Sequence, residues 1–207
     1  KEMLHVSFWT MLLGLTELFF VPEYWNPPSL FNLAARTGFD IESFIFTFAI
    51  GGLAAVLYEA LFPVRHKKWA AFATKSRRIL HRLALASPFL LFVVLIIGTS
   101  FNPIYAAIIA LFAGSFFAVL CRPDLLRKML TGGALFLGLY FLFFLFFNLF
   151  YPTFVQEVWN FLSISGILIL GIPLEELLFA FSVGLLWSSI YEHAHFYTVV
   201  RMKRQKN

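Results

Sequence analysis

Hydrophobic positions along this chain do not alternate with polar ones on the short periods of a soluble helix or strand; they run in long blocks. A helix needs about 20 apolar residues to cross a bilayer. Six blocks meet that length: 4–21, 41–62, 83–101, 103–121, 129–151 and 166–191. Between the third and fourth stands Ser100-Phe101-Asn102-Pro103, a turn signal that predicts a helical hairpin. The pattern predicts an all-α fold, a polytopic membrane bundle of about six transmembrane helices in a single domain, residues 1–207.

Composition agrees with the pattern. The chain is 60% hydrophobic and 13% charged, with a mean hydropathy of +0.82, and a soluble surface could not be built from so little polar material. Charge adds orientation. Lys1 and the basic residues of the segments after blocks two, four and six fall on one side of a six-helix bundle, and only Arg36 falls on the other, 15 against 1. The positive-inside rule then places both termini in the cytoplasm of a multi-pass cell-membrane protein. The same distribution explains the net charge of +5 without a nucleic-acid partner. Cys121 is the single cysteine, which excludes an internal disulfide and a cysteine metal centre. No cleavable signal peptide is expected, because the first apolar block lacks a basic leader.

Two segments resemble each other. Residues 41–59 read IESFIFTFAIGGLAAVLYE and residues 174–192 read LEELLFAFSVGLLWSSIYE, at a constant offset of 133. Upstream, Glu23-Tyr24-Trp25-Asn26 matches Glu157-Val158-Trp159-Asn160. The repeat copies span about 4–62 and 129–192, linked by the hairpin 83–121. An even number of crossings separates them, so the duplication is parallel, and sites in such proteins lie between the copies. Gly51, Gly52, Ala54 and Ala55 are expected to meet Gly184, Ser188 and Ser189 where the two repeat helices pack.

Carboxyl groups in apolar helices are costly and point to function. Glu175 and Glu176 open the last helix after Pro173, and Glu42 stands at the equivalent of Glu175. The three are expected to converge on one cavity in the outer third of the bilayer. Glu59 and Glu192 lie 17 residues further along their helices, roughly 25 Å away at 1.5 Å per residue, and are expected to be anchors beside the basic loops. Glu192-His193-Ala194-His195 has only loose metal spacing, so its histidines are expected in solvent or headgroups and no metal is expected. Trp9, Trp25, Trp159, Tyr24 and Tyr151 are expected in an interfacial aromatic belt.

Pro173-Leu174-Glu175-Glu176-Leu177-Leu178-Phe179 resembles the P-[LI]-E-E-x-L-F signature of the lycopene cyclase domain family, the small membrane carotenoid cyclases of heterodimeric bacterial and fused archaeal and fungal enzymes. That family is also built as a duplicated helical unit. The first copy here reads Asp40-Ile41-Glu42-Ser43-Phe44 at the same place. The resemblance implies a redox-neutral, cofactor-free cyclisation of an apolar isoprenoid or carotenoid end group. Glu175, Glu176 and Glu42 would be its acid and base groups, and Phe46, Phe48, Phe179, Phe181 and Pro173 would line the substrate. It also implies a homo- or hetero-oligomer as an alternative to a monomer. Two other readings stand beside it. One is a non-catalytic carotenoid- or lipid-binding or scaffold protein. The other is a glutamate intramembrane protease, whose motif has Arg where Ala180 stands.

Overall fold

The computed structural model describes residues 1–69 and 75–201. Among them, six helices are long and apolar enough to cross a membrane. They are α1 (Glu2–Phe20), α2 (Ile41–Leu61), α3 (Lys75–Gly98), α4 (Pro103–Cys121), α5 (Pro123–Phe150) and α6 (Leu174–His195). The chain is an all-α, multi-pass membrane bundle, as the apolar blocks predict.

Local sequence sets the helix ends. Asp40 caps α2 by accepting from Ser43 N at 2.6 Å, and Asn102 caps α4 by accepting from Ile104 N at 3.1 Å ahead of Pro103. Inside α3, Pro88 packs against Gly114 of α4. At Gly114 a β-carbon would lie 2.9 Å from the proline ring, so only glycine admits it.

Block six is shorter than its hydropathy predicts. Residues 166–173 do not begin the helix. β2 (Leu168–Ile169) pairs antiparallel with β3 (Ile172–Pro173), through a turn with positive φ at Leu170 (50°) and Gly171 (79°). Two positive-φ residues make the tight hairpin turn that matches strand twist. A continuous apolar run does not distinguish such a hairpin from a helix start. The segment 63–82 also contains order that hydropathy misses. There β1 (Val64–Lys68) pairs antiparallel with β4 (Tyr197–Arg201), which ties the loop after α2 to the segment after α6.

α6 is the most buried span and packs against α5, α4 and α2. The expected small-residue contact between α2 and α6 is corrected in detail. Gly51 and Gly52 face Thr10 and Ser7 of α1, whereas Gly184 faces Phe136, Gly132 and Gly133 of α5. Backbone contact thus forms within each sequential helix pair, α1 with α2 and α5 with α6.

The ribbon β1–β4 and the turn after α4 share one end of the bundle, where Arg122 donates to Tyr197 O at 2.9 Å. The basic residues of these loops therefore lie on one face, and Arg36 precedes α2 at the opposite face. Lys203, Arg204 and Lys206 lie outside the described residues.

Candidate active site

At the face opposite the basic loops, the connections α1–α2 and α5–α6 meet. Trp25 and Trp159 form an antiparallel bridge. Asn26 N donates to Val158 O at 2.8 Å and Asn160 N donates to Tyr24 O at 2.9 Å. The two indole rings lie 5.4 Å apart. Asn102 Nδ2 donates to Glu23 O at 2.9 Å and to Ser163 Oγ at 3.0 Å, which brings the α3–α4 turn onto the same lid.

Glu176 lies below this lid. Its Oε1 accepts from the Tyr24 hydroxyl at 2.7 Å and from Trp159 Nε1 at 3.1 Å, and its Oε2 accepts from the Tyr140 hydroxyl at 2.6 Å. The donors come from three parts of the chain, so the lid and α5 must both be in place before the carboxyl is held. Burial, and then the neighbouring Glu176 charge, hold the Tyr24 phenol well above the ordinary tyrosine range. It therefore stays a donor throughout the physiological range.

Glu175, one residue earlier, points elsewhere. Its Oε1 accepts from the Tyr105 hydroxyl at 2.7 Å and from Ser165 N at 2.8 Å. That couples the start of α6 to α4 and to the loop ahead of the β2–β3 hairpin. Its Oε2 is buried and has no hydrogen-bond partner among the described residues.

A cavity of about 330 Å³ opens beneath Glu176, at the small end of ligand-pocket volumes. Its walls include Trp9, Leu13, Phe20, Phe46, Ile50, Phe89, Phe92, Phe179, Val183 and Trp187, and its polar lining includes Glu17, Glu176 and Tyr24. Among the described residues, no lysine or arginine lines it. Along α6 it runs from Glu176 to Ile190, roughly 21 Å at 1.5 Å per residue. Trp9 (67% exposed) and Phe89 (55% exposed) carry it to the lateral surface between α1 and α3.

Of the residues expected at this site, Glu176, Phe46 and Phe179 line the cavity and the others do not. Glu42 is exposed and accepts from Leu30 N at 2.7 Å, so it braces the α1–α2 connection instead of converging on Glu176. Phe48 packs edge-on against Phe8, and Phe181 packs against Phe112 and Gly133. Pro173 is buried in the β2–β3 hairpin. Two belt residues are also relocated. Tyr24 and Trp159 are buried, 3% and 6% exposed, because their polar atoms have a carboxyl to bond.

Sequence reasoning missed Glu17, Tyr105 and Tyr140. Glu17 carried a signal, a carboxyl inside an apolar block, and it is 7% exposed with Trp25 Nε1 donating to it at 2.8 Å. The tyrosines carried none, because a tyrosine in a membrane helix is unremarkable until its partner is placed.

The basic face holds a second polar cluster. Lys128 donates to Glu59 at 2.7 Å and also to Glu192. His66 Nε2 lies 3.1 Å from Glu59 and 3.0 Å from Glu192. The hydrogen bonds to Glu192 and then to Glu59 push the His66 imidazole up to about 10, so it is an imidazolium at neutral pH. Donor atoms of Glu2, Glu59, His66 and Glu192 lie within 4.8 Å of one another, close enough to surround a cation. The Lys128 ammonium already bridges Glu59 and Glu192, and with His66 it balances their charge. His193, expected in solvent or headgroups, is instead fully buried, its ring 5.0 Å from that of His81.

Residues 102–194 match the model of the lycopene cyclase family. Over this stretch the chain is similar to the lycopene cyclase family. The match covers α4, α5 and α6 with their connections, a little under half of the chain, and so contains Tyr105, Tyr140, Trp159, Ser165, Glu175 and Glu176. Tyr24, Trp25, Glu17 and the walls from α1, α2 and α3 lie outside the lycopene cyclase match. No curated protein and no solved structure matches the chain.

Proposed function

We propose that the protein is a carotenoid end-group cyclase in which Glu176 performs acid–base chemistry on an acyclic polyene such as lycopene. The observation that carries this reading is one buried carboxyl within the lycopene cyclase match, held by Tyr24, Tyr140 and Trp159 and facing an elongated aromatic cavity.

The chemistry needs what that cavity offers. A proton is added to the terminal double bond and leaves a tertiary cation. A second double bond attacks it, which closes a six-membered ring and moves the positive charge into that ring. Loss of a proton from an adjacent carbon restores a double bond. The product is an isomer of the substrate, so no oxidant or reductant is consumed. Aromatic faces such as Phe46, Phe92, Phe179 and Trp187 stabilise the cation. An apolar wall keeps water from capturing it. The cavity takes one end of the polyene, and the rest of the chain leaves between α1 and α3 past Trp9 and Phe89.

The positive-inside rule supports placing the basic face and both termini in the cytoplasm, and the carboxyl site toward the outer side. The paired Trp25 and Trp159 connections support a parallel duplication in which the site lies between the copies. Glu175 is given a positioning role here, because its bonds to Tyr105 and Ser165 hold the start of α6.

The test is expression in a lycopene-accumulating host with pigment analysis. Cyclised carotenoids are expected from the wild type, and Glu176→Gln, which keeps the side chain's size and polarity without a transferable acid proton, is expected to abolish them. An unchanged lycopene pool with well-expressed wild type contradicts the cyclase reading and leaves carotenoid or lipid binding in its place.

A further inference from the structure

We infer that Glu17 is the second proton-transfer group of this cavity, contributed by α1 from outside the lycopene cyclase match. The inference rests on the cyclase reading above. It also extends that reading, because cyclisation needs a proton delivered at one carbon and removed at another, and the reading so far names one carboxyl.

The geometry points to Glu17 by three observations. Glu17 and Glu176 line the same cavity, and both are buried. Each accepts an indole N–H from one member of the paired tryptophans, Glu17 from Trp25 at 2.8 Å and Glu176 from Trp159 at 3.1 Å. Those indoles belong to the Trp25–Trp159 bridge, so the lid that fixes one carboxyl fixes the other. Finally, no lysine or arginine among the described residues lines the cavity, and none of them pairs with Glu17 there. A buried carboxyl without a counter-ion is costly to keep, whereas a glutamine would accept the Trp25 N–H equally well.

The proton count closes with two groups. One carboxyl delivers its proton to the terminal alkene carbon, and a C–H bond forms there. The ring C–C bond forms from the second alkene. The other carboxylate takes the proton from the carbon next to the ring cation, and the electrons of that C–H bond become the new double bond. Return of the proton from the second group to the first resets the pair with no net gain or loss.

Glu17→Gln, Glu17→Asp and Glu176→Gln are compared with wild type in lycopene-accumulating membranes, with each protein quantified after detergent extraction. Glu17→Gln is expected to accumulate normally and to lose cyclisation by roughly 100-fold or more, the usual weight of a general acid or base. Glu17→Asp is expected to regain part of the rate with a displaced pH profile, which a merely structural hydrogen-bond acceptor would not produce. If Glu17→Gln cyclises within about twofold of wild type while Glu176→Gln is inactive, the inference is overturned and the cyclase reading stands. If Glu17→Gln does not accumulate, Glu17→Asp decides: a wild-type rate and pH profile overturn the inference. If wild type forms no rings, the reading and the inference fall together.

Discussion

Glu176 shows how a single carboxyl in a membrane gathers its support. Tyr140 comes from α5, Tyr24 from the α1–α2 connection and Trp159 from the α5–α6 connection. Tyr140→Phe removes the donor on Oε2 and leaves that oxygen buried without a partner, at a cost of roughly 1–3 kcal/mol. A lower melting temperature in detergent and a reduced cyclisation rate are expected. An unchanged melting temperature would show that this hydrogen bond does not hold the site. The adjacent Glu175 and Glu176 are legible in sequence because acids in an apolar block demand an explanation. Their different roles are not legible. A one-residue step on a helix turns a side chain by about 100°, and only the surrounding helices decide which of the two faces the cavity. Glu42 stands apart for a related reason, since a matching position in sequence does not specify the neighbours a side chain meets.

At the scale of elements, hydropathy locates all six helices because their length is set by the bilayer, but it is blind to short strands. β2–β3 is apolar throughout and reads as helix, while β1 is polar enough to read as loop. Close approach of α5 and α6 rests on Gly132 and Gly184. A β-carbon on Gly184 would lie 2.6 Å from Phe136 Cβ and 3.0 Å from the Gly133 backbone. Gly184→Ala is therefore expected to push the helices apart and to cost roughly 1–3 kcal/mol, read as a lower melting temperature in detergent. The β1–β4 ribbon brings His66 to Glu59 and Glu192, with Lys128 against the same carboxylates and the Tyr191 and Tyr197 rings alongside. Its folded value, about 10, lies above that of an unfolded histidine, near 6.5. The stabilisation is thus fully present below about 6.5 and lost as pH rises through about 10. His66→Gln should flatten the decline of melting temperature over that window. An identical slope in the variant would contradict the assignment.

For the whole molecule, the block pattern and the 15-to-1 charge bias determine the number of crossings and the proposed orientation. With Cys121 replaced by serine, a cysteine at exposed Lys67 should label only from the cytoplasmic side and one at exposed Phe31 only from outside. The reverse pattern would invert the topology. The likeness of the two segments was legible because Trp and Asn recur together with Glu in both. The meeting of Trp25 with Trp159 was not, because nothing in either segment alone specifies its partner across the bundle.

The central claim is that the buried carboxyl beneath the paired tryptophans closes a ring by acid–base chemistry. Membranes containing the protein, equilibrated in deuterium oxide and supplied with lycopene, test it most directly by mass spectrometry of the product. The account predicts one deuterium incorporated for each ring formed, no oxygen added, and neither ring nor deuterium with Glu176→Gln. Rings formed without deuterium, or rings still formed by Glu176→Gln at the wild-type rate, would contradict it.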